Sequence, residues 1–227
     1  MNVSWQTTLQ DKYRFAAGGN YTYNIFDREP SYRRYGFFGE GSIIAEAIPT
    51  SLTLRYSFYN TDSFRSKASD AYQHSVALSV SQRLAPKDTV SGSYSVSNYI
   101  NKDLRGSNYA NRANNLSVNY SRLVKPGLTV SAAYSIGLIE YANPDSTTLY
   151  SEFRRNISHG ISMDFLYSLS EKVSFSIGYD YGNVATNLPR PTVEEQRKLE
   201  DILAAPIPTV GGSYVKHTVI MGVGVAF

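Results

Sequence analysis

Apolar and polar residues alternate with a period of two along most of this chain. Tyr13, Phe15, Ala17, Gly19, Tyr21, Tyr23 and Ile25 share one parity, and Arg14, Ala16, Gly18, Asn20, Thr22 and Asn24 share the other. In a strand, successive side chains point to opposite faces, so this pattern predicts a strand with one greasy and one small or polar face. The same rhythm recurs at Leu52–Phe58, Tyr72–Val80, Val90–Val96, Leu116–Tyr120, Leu128–Leu138, Ile157–Tyr167 and Val173–Tyr181. Tyr35–Ala47 follows it less strictly, with Phe38 and Ile44 out of phase. In the final stretch, Val215, Val219, Met221, Val223, Val225 and Phe227 share one parity; Lys216, Thr218, Gly222, Gly224 and Ala226 share the other.

Short turns near Pro49, Pro86, Pro126 and Glu171 alternate with polar loops at 27–33, 60–71, 101–114, 140–152 and 183–212. About ten long strands in hairpins follow, joined by short turns at one end and long loops at the other. The spacing of the turns, a repeat of roughly 40 residues, does not make a propeller, because each blade would need four short strands. Residues 1–12 admit two readings. Val3, Trp5, Thr7 and Leu9 alternate in phase with Tyr13 and extend the first strand, or Gln10-Asp11-Lys12 turns the chain after an extra strand. The second reading makes eleven strands and suits part of a larger or two-chain barrel.

The polar face decides which way the sheet points. A soluble sandwich places Lys and Glu on its solvent face. Here that face carries Ser91, Ser93, Ser95 and Ser97, then Ser117, Asn119 and Ser121, then Ser174, Ser176 and Gly178. Such small side chains suit the crowded interior of a closed barrel, so the apolar face is expected outside, in lipid. The chain has 19 Tyr and 10 Phe. Tyr21, Tyr23, Tyr35, Phe37, Phe58, Tyr72, Tyr181 and Tyr214 fall near the loop end. Tyr13, Tyr120, Phe165, Tyr167, Phe175 and Phe227 fall near the turn end. Two aromatic bands mark two membrane interfaces. A mean hydropathy of −0.30 is compatible with this, since only alternate residues meet lipid.

Ending on Phe227, in phase with the apolar face, the last strand resembles the closing strand of bacterial outer-membrane β-barrels. The resemblance implies an all-β, antiparallel up-and-down transmembrane barrel over 13–227, of about ten strands, or eleven to twelve, or part of a larger barrel. It implies a location in the bacterial outer membrane with both termini periplasmic. Phe227 would be the signal read by the barrel-assembly machinery, and outer-membrane lipid and lipopolysaccharide would surround the strands. The Ser- and Tyr-rich hairpins also resemble the barrel domains of secretion and exopolysaccharide-export porins. Met1–Phe15 lacks the basic and apolar regions of a secretory signal, so export implies a processed start or a segment upstream.

Candidate chemistry is sparse. Thr192-x-x-Glu195 is a capping box, and Leu199 and Leu203 continue an apolar face, predicting one short helix in the last external loop. It would act as a plug or lie across the rim. Arg14, Glu40, Glu46, Arg55, Arg83, Arg154, Asp164, Asp180 and Lys216 carry inward parity. They would line a conduit or brace the barrel as ion pairs. Arg33, Arg34, Arg105, Arg112, Arg154 and Arg155 lie in or beside the long loops and match phosphate chemistry. His74, His159 and His217 take outward parity; in His74-Ser75 and Ser158-His159 the neighbours point to opposite faces, which prevents a nucleophile–base pair.

There is no cysteine, zinc spacing or nucleotide fingerprint, so catalytic residues, cofactor and metal are all expected to be none. A net charge of +3 is too mild to argue for nucleic acid. The expected function is a narrow conduit or the membrane anchor of an envelope assembly with a protein partner. The alternatives are a surface-binding barrel using its long loops, and a small barrel hydrolase.

Overall fold

The computed structural model describes residues 2–10, 12–26, 29–45, 49–64, 70–102, 110–144, 153–170, 173–188 and 213–225. Eleven strands follow in order: β1 (Asn2–Leu9), β2 (Tyr13–Phe26), β3 (Glu29–Ala45), β4 (Thr50–Ser63), β5 (Ala71–Ala85), β6 (Asp88–Asn101), β7 (Asn111–Lys125), β8 (Leu128–Pro144), β9 (Phe153–Ser168), β10 (Val173–Thr186) and β11 (Tyr214–Val225). Each pairs antiparallel with the next, in a single sheet of order β1 to β11.

Of the two readings of residues 1–12, the structure has the extra strand. Asn2 to Leu9 pair with Asn20 to Tyr13, and the chain turns with Gln10 at φ 53°. Among the described residues the strand count is therefore eleven rather than ten. With an odd count, β1 starts at the loop rim and β11 finishes at the turn rim. The expectation that both ends share one side rested on an even count.

Most strands run further than the apolar pattern does. β3 starts at Glu29, inside the stretch read as a loop around Pro30. A register shift between Asn24 and Ile25 absorbs the proline, which faces Ile25 across the hairpin. β4 reaches Ser63, β7 starts at Asn111 and β10 reaches Thr186. These extensions are rich in Asn, Thr and Asp. Their ladder hydrogen bonds need no apolar side chain, so a hydrophobicity pattern misses them.

The turn rim is built from tight hairpins. At Pro126-Gly127, the glycine has φ 82°, which suits the third position of a type II turn after proline. Pro86-Lys87 turns the chain between β5 and β6, and each of these two hairpins carries a register shift just before its turn. Neighbouring hairpins are also bonded to each other. Lys12 accepts from Ile44, Pro49 from Arg83, Lys87 from Leu123 and Gly127 from Ser168, all through backbone N–H groups. At the other rim, Ser31, Asp70 and Ala110 accept from Phe64, Lys102 and Ala142.

The register sorts side chains onto two faces. The apolar face includes Leu54, Leu78, Tyr94, Leu116, Ile136, Ile161, Ile177 and Met221. Among the described residues nothing covers it: Val118 is 48% and Met163 47% exposed at mid-sheet. Among the described residues only Ala71 and Leu188 are buried apolar side chains. A sheet without a core between its layers needs a non-aqueous medium against its greasy face. On β7 the apolar side is bounded by Arg112 and Arg122. Ten residues at strand rise span roughly 33 Å, or about 25 Å at the usual barrel tilt, which is the height of the apolar band of such barrels.

Two residues out of phase with the apolar pattern are explained by glycines. Phe38 sits on the polar face directly opposite Gly18, and a Cβ at Gly18 would lie 2.6 Å from its ring. Tyr59 lies likewise over Gly36. Tyr214, expected in the loop-end aromatic band, is paired with Val184 on the polar face. It is one residue before the parity of Val215 begins.

Two outcomes follow from the faces. Val118→Arg places a charge at mid-strand on the apolar face and should destabilise the protein in lipid vesicles by about 2–4 kcal/mol. Ser117→Arg, one residue away on the polar face, should cost far less. Denaturant titration of both variants in vesicles checks this, and a larger loss for Ser117→Arg than for Val118→Arg would mean the faces are reversed. Gly18→Leu should displace the Phe38 ring and lower the unfolding midpoint, while Gly39→Leu, with nothing near its Cβ, should not.

Candidate functional site: the polar face and its rims

The polar face is floored by hydroxyls. Ser42 and Thr53 are hydrogen-bonded at 2.9 Å, and Ser93 and Ser117 at 2.8 Å. Ser51, Thr53, Ser79, Ser81, Ser91, Ser93, Ser117 and Asn119 line a hollow of about 240 Å³. Small side chains leave this space because each one clears the ladder without filling the room above it.

The register places Arg14, Glu40, Arg55, Arg83, Arg154, Asp164, Asp180 and Lys216 on this face; Glu46 lies outside the described residues. Glu40 and Arg55 are direct cross-strand partners and meet at 3.4 Å. Both are partly exposed, so the pair contributes about 0–1 kcal/mol. Arg55 also covers the Phe38 ring at 4.2 Å. Arg83 lines a hollow at the turn rim with Thr50, Ser51 and Thr89. Asp180 lines another with Ser117, Ser135 and Ser162, while Asp164 lies over Gly178. Lys216 is opposite Gly182, and Arg14 is opposite Ser42. These charges are spread over the face and do not converge on one point.

A second constellation was not legible as a motif. Tyr59, Gln73, Tyr99, Asn111 and Tyr141 are successive direct partners across β4 to β8. They form one row near the loop rim, roughly 19 Å long at sheet spacing. An arginine closes each end. The guanidinium of Arg34 lies 3.9 Å from the Tyr59 ring centre and donates to Gln73 Oε1 at 2.9 Å. That of Arg154, itself 8% exposed, lies 3.6 Å from the Tyr141 ring centre. Arg34 and Arg154 thus lie on the polar face of the sheet, near the loop rim. Parity was the available signal: all seven residues share the phase of the serines. Their row exists only through the register of five strands.

On the apolar face the three histidines repeat one geometry. Nδ1 of His74, His159 and His217 lies 2.9, 2.8 and 2.8 Å from the hydroxyl of Tyr56, Tyr134 and Tyr179. In each case the histidine is two residues from the direct partner of its tyrosine, on the next strand. Each imidazole nitrogen facing the sheet is thereby occupied by a tyrosine. Charged groups of this face lie at the rims. Asp62 bridges Arg33 at 3.0 Å and Lys102 at 2.5 Å, beside Phe64 and Tyr72. Arg155 is 3.9 Å from Glu140, and Arg122 is 3.7 Å from Asp88 at the opposite rim. Arg105, Phe227 (expected as an assembly signal), and Thr192, Glu195, Leu199 and Leu203 (expected in a loop helix) lie outside the described residues. Among the described residues no cluster of His and carboxylates is placed to hold a metal ion.

No protein-family model and no curated protein matches the chain. Solved structures do. The outer membrane channel DcaP of Acinetobacter baumannii superposes with a TM-score of 0.61 at 14% identity, over 98% of this chain and 61% of that one. The anion-selective porin from Comamonas acidovorans superposes with a TM-score of 0.55 at 13% identity, over 99% of this chain and 57% of that one. The chain therefore spans about three-fifths of the length of these porins. At such identity the likeness is one of fold, and with the two-faced meander it gives an all-β, up-and-down sheet of the bacterial outer-membrane β-barrel type, porin-like in architecture.

Proposed function

We propose that the chain forms the wall of a narrow, non-enzymatic conduit for small hydrophilic solutes in the bacterial outer membrane. The observation that carries this reading is the contrast between its faces: an uncovered apolar face and a hydroxyl-floored polar face with room above it. Among the described residues the polar face bears Arg14, Arg34, Arg55, Arg83, Arg154 and Lys216 against Glu40, Asp164 and Asp180. Six cations against three anions favour anionic solutes through local potential. Short turns face the periplasm and long loops the exterior, as in barrels of this class.

A second reading has its own observation. At the loop rim of the apolar face, Arg33 and Lys102 flank Asp62 between the rings of Phe64 and Tyr72. This group combines cations with interface aromatics, and its chemistry suits lipopolysaccharide phosphates. In that reading the barrel is an anchor or binder, and its lumen carries nothing.

Single-channel recording on protein extracted from outer membranes in mild detergent separates the two. A conduit gives steady conductance with a reversal potential favouring anions under a salt gradient. Arg34→Ala with Arg154→Ala should move that potential toward zero, and Asp180→Asn should move it the other way. Removing 192–205 should raise conductance if that loop enters the lumen. Folded protein with no conductance in any form would establish the anchor.

A further inference from the structure

The two sheet edges carry an inference that rests on the membrane-spanning reading. Among the described residues, β1 pairs only with β2 and β11 only with β10. Along an antiparallel edge, alternate residues direct both backbone groups away from the sheet. On the 12 residues of β11 that leaves about twelve groups without a partner. Hydrocarbon offers them no water, so both edges must be covered in the bilayer. Side chains there show the same want of a neighbour. Met221 is 74% and Trp5 61% exposed, against 48% for Val118 at mid-sheet.

Strand direction decides what can cover them. The strands alternate, so β1 and β11, both odd, run from the loop rim to the turn rim. Pairing them with each other makes a parallel seam. Two upright copies fare no better: any edge of one against any edge of the other brings together strands of the same direction. Antiparallel pairing at each edge needs a strand running from the turn rim to the loop rim. A segment that begins and ends with such strands has an odd number of them. Eleven plus an odd number is even, as single-chain bacterial barrels require. Each of the two porins has about two-fifths of its own length beyond the part that matches.

We propose that the sheet closes through a β-segment with an odd number of antiparallel strands, inserted between β11 and β1. Its outer positions are apolar, to continue Val3 and Trp5 on one side and Val219 and Met221 on the other. Its inner positions are small and polar, to continue Ser4 and Gln6 on one side and Thr218 and Gly222 on the other.

The chain has no cysteine, so introduced pairs report without background. Gln6→Cys is combined with Thr218→Cys, Ile220→Cys or Gly222→Cys in protein held in native outer membranes. Amide exchange at β1 and β11 is measured on the same preparation. The expected result is no disulfide within the chain or between copies, with both edges as protected as β6. An intramolecular disulfide means parallel self-closure and overturns the proposal. A disulfide-linked dimer means a second copy and also overturns it. Edges that exchange like loops mean an open sheet; if alkaline washing then strips the protein from the membrane, the spanning reading fails with it.

Parity is tested separately on the refolded chain extended after Phe227 by copies of β8, of β8–β9 or of β8–β10. Edge protection with one or three added strands supports the odd count. Protection with two, or with none, overturns it.

Discussion

A backbone amide or carbonyl placed in hydrocarbon has only other backbone groups to bind. Every other feature of this sheet is arranged around that need. Antiparallel ladders satisfy it strand by strand from β2 to β10. Backbone bonds between neighbouring hairpins carry the ladders to both rims, where strands would otherwise fray. The requirement tolerates few interruptions. Pro30 sits beside a register shift, and the shifts before Pro86 and Pro126 fall at the rim, where water is available.

Because the ladder supplies cohesion, the side chains are free to serve two media. One face gives lipid what it tolerates: aliphatic and aromatic groups, with polar tips paired locally. The three Tyr–His pairs are instances, each joining adjacent strands diagonally. The other face gives water hydroxyls and room. Its larger groups are held by stacking: Arg55 on Phe38, Arg34 on Tyr59 and Arg154 on Tyr141. Opposed glycines make the first two possible by letting each ring lie flat on the backbone across the hairpin. Stacking fixes a guanidinium without neutralising it, and Arg55 adds to its stacking an ion pair with Glu40.

Much of this was readable beforehand, and the failures have physical causes. The alternation at Tyr13–Ile25 or Val173–Tyr181 needs nothing beyond side-chain period to be recognised. Strand ends at Ser63, Asn111 and Thr186 were missed because their residues are polar on both faces. Tyr214 lies at the loop end, where the aromatic band is expected, but the register puts it on the polar face. The row from Tyr59 to Tyr141 could not be found by inspection, since its members come from five strands and only register aligns them.

The class is written in the order of residues: a period of two, small polar residues opposite greasy ones, and tight turns alternating with polar loops. These are local properties, and a strand's two faces follow from covalent geometry alone. Pairing between strands settles the rest: residues 2–9 are an eleventh strand, Glu40 meets Arg55, and Arg34 and Arg154 flank one aromatic row. Each of these depends on which residue lies opposite which. A shift of one position reverses every face, so register belongs to the assembled sheet and to no single stretch of chain.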